Sequence, residues 1–179
     1  CIRDSKLTLK GQLAANINES NCLIFSEMIV SGELNRLSSF ELAKFLSCFA
    51  EIKLPDSDRN YNYTMYTRSY ALSDCIHFFR TKIETIYSYE DACHITLVDY
   101  TPIQYDLLYY MDKWYNEEEK EYCLEIIDEA RKNGISLGEW IKAILKVTKM
   151  SKEIYKAAIL SEEYELALKL KEIPEKILK

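Results

Sequence analysis

The chain has 179 residues, of which 48% are hydrophobic and 29% charged, and its formal net charge is −6 at pH 7. This hydrophobic fraction excludes a wholly disordered chain, because it is large enough to form a buried core. Only 4 Gly and 3 Pro are present, which argues against a β-sandwich with its many turns. The acidic balance excludes a nonspecific attraction of the whole chain to nucleic acid.

The sequence also indicates where the protein works. No apolar run approaches the roughly 20 residues that span a bilayer, and the N-terminus has no apolar signal segment. The six cysteines are far apart and form no CxxC pair, which favours reduced thiols over disulfides or a zinc site. We therefore expect an intracellular protein without a membrane or metal partner. Because the chain starts at Cys1 rather than Met, we expect residues 1–179 to be a single domain of a longer protein.

Apolar periodicity predicts helices along almost the whole chain. A polar loop at residues 53–65 interrupts the pattern, and residues 95–98 could form a strand, but too few such runs exist for a sheet. The sequence therefore predicts an all-α helical bundle in which the long 66–88 helix is a central element and the 139–158 helix is basic. The predicted helices cover residues 11–17, 22–30, 40–51, 66–88, 101–115, 117–130, 139–158 and 162–171, the last ending before Pro174.

Local signals mark several helix starts. Ser38 and Glu41 have the spacing of a capping box, in which the serine accepts from a free backbone N–H and the glutamate reaches back. Ser136 and Glu139 repeat this spacing further along the chain. Thr101-Pro102 predicts another start, because proline is favoured at the first helical position.

The charges are unevenly distributed along the chain. Residues 131–156 contain seven basic and two acidic side chains, a local balance of +5, so the rest of the chain carries −11 within the total of −6. A row of ammonium groups on one helix face suits the phosphates of a single-stranded nucleic acid. The alternative is a solvated face, on which lysines are common. At about 100° per residue, five lysines of the 139–158 helix project within an arc of about 120°: Lys142, Lys146, Lys149, Lys152 and Lys156.

The order of residues from 7 to 49 is more specific than the composition. Lys10-Gly11 is followed by Glu27-Met28, Gly32, Asn35 and the closing Leu46-Ser47-Cys48-Phe49. This segment closely resembles the start of the C-terminal domain, called DSHCT, of DExH-box RNA helicases of the superkiller and exosome-cofactor type. The resemblance is moderate over residues 103–114 and 135–154, and poor over 53–65 and 116–133.

The resemblance gives the basic helix a role. In these helicases the corresponding helix, called the ratchet helix, runs beside the RNA and contacts its backbone and bases. Lys146 takes the place of a family arginine, and Lys149 stands where the family usually has an acid. Because lysine lacks the planar fork of arginine, phosphate contact is expected in place of base stacking at Lys146. The residues implied to contact RNA are Lys142, Lys146, Lys149, Lys152 and Trp140, although a tryptophan at such a position is more often part of the core.

For the whole protein the resemblance implies an ATP-dependent helicase that unwinds 3′ to 5′ in RNA processing or decay. This chain has no GxxxxGK[ST] phosphate loop and no Asp-Glu-x-His box, so no catalytic residue, cofactor site or metal site is expected within it. ATP and Mg²⁺ are expected in the motor domains of the parent protein. The implied partners are single-stranded RNA, those motor domains and an RNA exosome, in the nucleus or the cytoplasm.

A second hypothesis is a non-catalytic helical adaptor that binds a protein partner. It rests on two tyrosine-rich regions, residues 61–70 and 105–114, which could form an aromatic surface. The salt dependence of RNA binding discriminates between the two hypotheses, because only the first requires phosphate contacts.

Overall fold

The computed structural model describes residues 2–3, 6–64, 66–67, 69–95 and 103–179. Two short strands, β1 (Ile2–Arg3) and β2 (Lys6–Leu7), pair antiparallel at the N-terminus. The predicted all-α bundle is confirmed. No helix in the described ranges combines the length and the apolar character needed to cross a membrane. Within the same ranges the chain forms eight α-helices: α1 (Leu9–Ala14), α2 (Cys22–Val30), α3 (Ser39–Ser47), α4 (Tyr70–Cys93), α5 (Leu108–Trp114), α6 (Lys120–Lys132), α7 (Leu137–Leu160) and α8 (Tyr164–Ile177).

Two predictions concern residues between 95 and 103, which the structure does not describe. The helix start predicted at Thr101-Pro102 lies outside the described residues, as do residues 96–98 of the strand-like run. Residues 53–64 lie between α3 and α4, and their one helical element is a 3-10 turn at Asp56–Asp58.

Side-chain caps explain where several helices begin. The capping box at Ser38 is confirmed, because Glu41 accepts a hydrogen bond from the Ser38 N–H over 2.8 Å. The second capping box is only half formed. Ser136 accepts from the Glu139 N–H over 3.2 Å, but the Glu139 carboxylate accepts from Lys142 instead of reaching back. At the starts of α1, α2 and α4, the side-chain oxygens of Thr8, Asn21 and Ser69 each accept a hydrogen bond from the N–H three residues further along.

One predicted helix is shorter than expected. α5 begins at Leu108, and residues 103–107, which were predicted to be helical, are not. Gln104 instead lies beside the chain that leaves α3. Its N–H donates to the Cys48 carbonyl over 2.8 Å, and its side-chain oxygen accepts from the Ile52 N–H over 2.9 Å. These long-range bonds satisfy backbone groups that a helix would otherwise pair.

α8 continues through Pro174 to Ile177, so the predicted end before this proline is wrong. A proline within a helix removes the hydrogen bond to the carbonyl four residues earlier, which here is that of Leu170. The Leu170 carbonyl accepts from the Ser151 hydroxyl of α7 over 2.7 Å. The Ile177 carbonyl accepts from the Trp114 indole over 2.9 Å. Partners outside α8 therefore hold its last turn in place.

α7 lies at the centre of the bundle, where it packs against α1, α2, α3, α6 and α8. A second packed zone joins α2, α4 and the end of α3 through four phenylalanine rings, whose centroids are 4.6–6.3 Å apart. α4 is as long as α7, but within the described residues its extensive helix contacts are with α2 and α3 alone, and its buried residues other than Glu90 lie in its first half. The central helix is therefore α7 and not the 66–88 helix expected from the sequence. The four phenylalanines are Phe25, Phe45, Phe49 and Phe79.

The segment that carries the family resemblance has a structural role. Lys10 of α1 forms an ion pair with Glu27 of α2, which joins the first two helices. Gly32 has a φ of +75° in the turn after α2, a conformation that favours glycine. The Asn35 amide donates to the Glu163 carboxylate over 2.7 Å and so joins this turn to the start of α8. These residues fix the scaffold around α7.

Candidate nucleic-acid interface

The unbroken helix α7 presents its lysines on one side. Its buried residues, among them Ala143, Val147 and Ile154, face the bundle. Four of the five lysines are exposed and Lys146 is partly buried. The predicted separation of a basic face from an apolar face is therefore present in the structure. We call the five residues the lysine row: Lys142, Lys146, Lys149, Lys152 and Lys156.

The lysines of the row differ in their partners. Within the described part of the chain, Lys146, Lys152 and Lys156 have no carboxylate within ion-pair distance, whereas Lys142 and Lys149 each have one. A lysine without an internal counter-ion offers its full charge to an incoming anion. Three of the five positions are thus open to a phosphate.

Lys142 is paired within its own helix. Its ammonium group lies 3.1 Å from the Glu139 carboxylate, one turn earlier. The hydrogen bond from Lys142 lowers the pKa of Glu139 below its ordinary value. The Lys53 N–H, which donates to the same carboxylate over 3.4 Å, lowers this pKa further. Glu139 is therefore an anion at neutral pH and partly neutralises the start of the row.

Lys149 is paired with a residue far away in the sequence. Its ammonium group contacts the carboxylate of Glu19, which lies in the connection between α1 and α2. The hydrogen bond to Glu19 raises the pKa of Lys149 above its ordinary value, so the lysine stays charged. One turn further along α7, Glu153 accepts from the N–H groups of Asn18 and Glu19 over 2.8 and 3.0 Å. Sequence reasoning missed this network, because no local pattern links residues so far apart.

Trp140 does not lie on the exposed side of α7. Its side chain is 3% exposed and packs against the rings of Trp114 and Tyr110, with centroids 5.1 and 6.0 Å away. A base cannot stack on a ring that is enclosed in the core, so the position of Trp140 gives no support to the expected contact with RNA. Trp114 is also buried, and its indole N–H donates to the Ile177 carbonyl.

A row of aliphatic side chains borders the lysine row at the start of α7. Leu137, Ile141 and Leu145 are 50%, 49% and 54% exposed and follow one another at a spacing of four residues. They line an open, mostly apolar cavity of about 300 Å³, together with Ile127 and Leu178. Sequence analysis missed this row, although its spacing of four residues is visible in the sequence.

Other groups that could carry chemistry are held in structural contacts. A polar cavity of about 700 Å³ opens between the 53–64 loop, α5 and α6. Three carboxylates line it. Asp58 accepts from the Ser57 hydroxyl over 2.9 Å, Asp106 accepts from the Asn60 N–H over 2.6 Å, and Glu129 accepts from Tyr109 and Lys113 over 2.8 and 2.7 Å. All three carboxylates therefore accept hydrogen bonds from protein donors.

Two of the described thiols are kept protonated by burial. Burial raises the pKa of Cys48 and of Cys75, the latter to about 12, so neither thiol is ionised near neutral pH. Cys22, Cys93 and Cys123 are also free thiols. In the described ranges there is no group of three or more His, Cys, Asp or Glu residues that could hold a metal ion.

The fold is thus an all-α bundle whose central helix exposes a row of lysines. The sequence model of the DSHCT (NUC185) domain matches residues 4–179. The chain belongs to the DSHCT family, the C-terminal domain found in DExH-box helicases. A search of curated proteins found no match to this chain.

Proposed function

We propose that this chain is the C-terminal helical domain of an ATP-dependent RNA helicase, and that α7 contacts the single RNA strand that the helicase moves. The observation that carries the proposal is the lysine row, in which Lys146, Lys152 and Lys156 have no internal counter-ion among the described residues. Family membership supports the link to helicases. In this proposal α7 is the ratchet helix and residues 1–179 form one domain.

The lysine row would bind RNA through its phosphates. An ammonium group is a compact charge that neutralises a phosphate without reading the base beside it. Because each neutralised phosphate releases bound counter-ions, the affinity should fall with salt, with a slope of about −0.7 per contact for a single strand. This mode suits a domain that must hold any sequence passing through it.

ATP hydrolysis would take place in other domains of the proposed helicase. ATP and Mg²⁺ would bind to the motor domains, because the chain has no phosphate loop of its own. The proposed partners are therefore single-stranded RNA and the motor domains, with an RNA exosome downstream in processing or decay. In this proposal the helicase unwinds RNA from 3′ to 5′, in the nucleus or the cytoplasm.

A pair of charge-reversal variants tests the proposal. The variant Lys152→Glu/Lys156→Glu should lose most of its affinity for a short single-stranded uridine RNA, measured by fluorescence anisotropy over a series of KCl concentrations. Its control is Lys120→Glu/Lys171→Glu, which changes the net charge equally at exposed lysines of α6 and α8. Equal losses in the two variants would show a general charge effect and contradict a specific interface on α7.

The adaptor hypothesis is weaker than the sequence suggested. Of its two aromatic regions, residues 105–114 are largely buried, with Tyr105, Tyr110 and Trp114 all inside the core. Only the 61–70 region presents exposed rings among its described residues, those of Tyr61 and Tyr70. RNA affinity that does not change with salt would favour the adaptor over the helicase domain.

A further inference from the structure

The connection between α1 and α2 is fastened to α7 in the middle of the lysine row. Glu153 of α7 accepts hydrogen bonds from two consecutive N–H groups of this connection, those of Asn18 and Glu19, over 2.8 and 3.0 Å. Lys149 and Glu153 are four residues apart and so lie on the same side of the helix. The backbone of the connection is therefore held beside Lys149.

This attachment places a carboxylate on the basic face. The Glu19 side chain contacts the Lys149 ammonium group, and the two side chains remain 25% and 61% exposed. Lys149 stands between Lys146 and Lys152, both of which lack a carboxylate partner within the described residues. A negatively charged oxygen thus already occupies the position at which a phosphate would meet the centre of the row.

We propose that Glu19 competes with RNA phosphate for Lys149 and thereby weakens phosphate binding at the centre of the lysine row. This inference rests on the proposed function. An exposed ion pair contributes little stability, so a phosphate can displace the carboxylate and be displaced by it in turn. A strand that is moved in steps requires contacts that are released at each step, and an internal anion beside one lysine favours that release.

The competition predicts a gain of affinity when the internal anion is neutralised. In the full 179-residue chain, Glu19→Gln should bind a short single-stranded uridine RNA about twofold to fivefold more tightly. The slope of log affinity against log salt should steepen by about 0.7, because Lys149 then contributes one further phosphate contact. A residue with a purely structural role would not produce a steeper slope together with a tighter complex.

Three further variants separate competition from other effects. Glu165→Gln is the matched control, because it removes a carboxylate that pairs with Lys169 on α8, outside the row; it should leave the affinity unchanged. Lys149→Gln added to Glu19→Gln should abolish the gain. Glu153→Gln keeps a side-chain oxygen for the two N–H groups and removes a carboxylate that acts on Lys149 only at a distance, so its gain of affinity should be smaller than that of Glu19→Gln.

A direct comparison of two lysines tests the inference without altering Glu19. Because Lys149 is already neutralised, Lys149→Gln should weaken RNA binding less than Lys152→Gln does. Equal losses in these two variants, or an unchanged or lower affinity in Glu19→Gln, would overturn the competition. If Lys152→Glu/Lys156→Glu still weakens binding in that case, the proposed function stands; if it does not, the proposed function fails as well.

Discussion

The Ser151 hydroxyl donates a hydrogen bond to the Leu170 carbonyl over 2.7 Å, and both groups are buried between α7 and α8. Pro174 is the residue whose N–H would have paired this carbonyl in an uninterrupted helix. A side chain of the central helix thus replaces a backbone donor that the proline lacks. The contact satisfies the carbonyl that the proline leaves without a backbone donor, which allows α8 to extend to Ile177.

Removal of this hydroxyl should therefore be costly. Ser151→Ala leaves a buried carbonyl without a donor, and we expect it to lower the free energy of unfolding by about 1–3 kcal/mol. Urea denaturation followed by circular dichroism measures the loss. In the double variant Ser151→Ala/Pro174→Ala, residue 174 regains an N–H that can reach Leu170, so the cost of removing Ser151 should be smaller in that background.

Thr148→Val is the matched control for this prediction. Thr148 is also buried on α7, and its hydroxyl donates to the Ile144 carbonyl over 2.9 Å. That carbonyl lies inside α7, where a backbone N–H also pairs with it. Thr148→Val should cost less than Ser151→Ala, and a larger cost would contradict the role assigned to the proline.

Lys44 is a buried cation that joins three parts of the fold. The side chain is 4% exposed, and its ammonium group donates to Asp112 of α5 over 2.5 Å and to the Tyr66 carbonyl over 2.8 Å. Lys44→Met keeps the apolar stem but removes both bonds, so we expect a loss of about 1–3 kcal/mol in the free energy of unfolding. Lys120→Met, at an exposed position, should change stability little, and equal effects in urea denaturation would contradict the prediction.

Trp140 should contribute to stability and not to RNA contact. Trp140→Phe removes part of a buried side chain, so we expect a loss of about 1–3 kcal/mol in the free energy of unfolding and an unchanged RNA affinity below the denaturation range. Urea denaturation and RNA anisotropy on the same preparation measure the two quantities. A drop in RNA affinity without a loss of stability would show that the ring reaches the RNA.

The ion pair between α1 and α2 should make stability depend on pH. The hydrogen bond from Lys10, together with the charges of Lys10 and Lys82, lowers the pKa of Glu27 below its ordinary value of 4.5. A carboxylate whose pKa is lower in the folded chain stabilises it fully above the unfolded value, and that stabilisation is lost as the pH falls through the folded pKa.

Glu27→Gln should therefore be less stable than the unaltered chain at pH 6, and the difference should shrink as the pH is lowered below about 4.5. Urea midpoints measured from pH 6 to the acid limit of the fold test this. Glu84→Gln, at an exposed position of α4, is the control and should show no such convergence. A difference that stays constant with pH would rule out the ionised form of Glu27 as the source of the stabilisation.

The sequence predicts the features that depend on neighbouring residues. The helix starts at Ser38 and Ser136 and the two faces of α7 follow from spacing along one helix, and the structure has them. Features that depend on distant residues were missed. Glu19 meets Lys149 only because the bundle folds, and the helix continues through Pro174 only because another helix supplies a donor.

Lysine footprinting tests the central claim, that the lysine row holds RNA phosphates, most directly. The chain is acetylated with and without single-stranded uridine RNA, and the modified lysines are quantified by mass spectrometry. RNA should protect Lys146, Lys152 and Lys156 strongly while Lys120 and Lys171 remain as reactive as before, and added salt should remove the protection. Equal protection of all lysines, or protection confined to sites outside α7, would contradict the account.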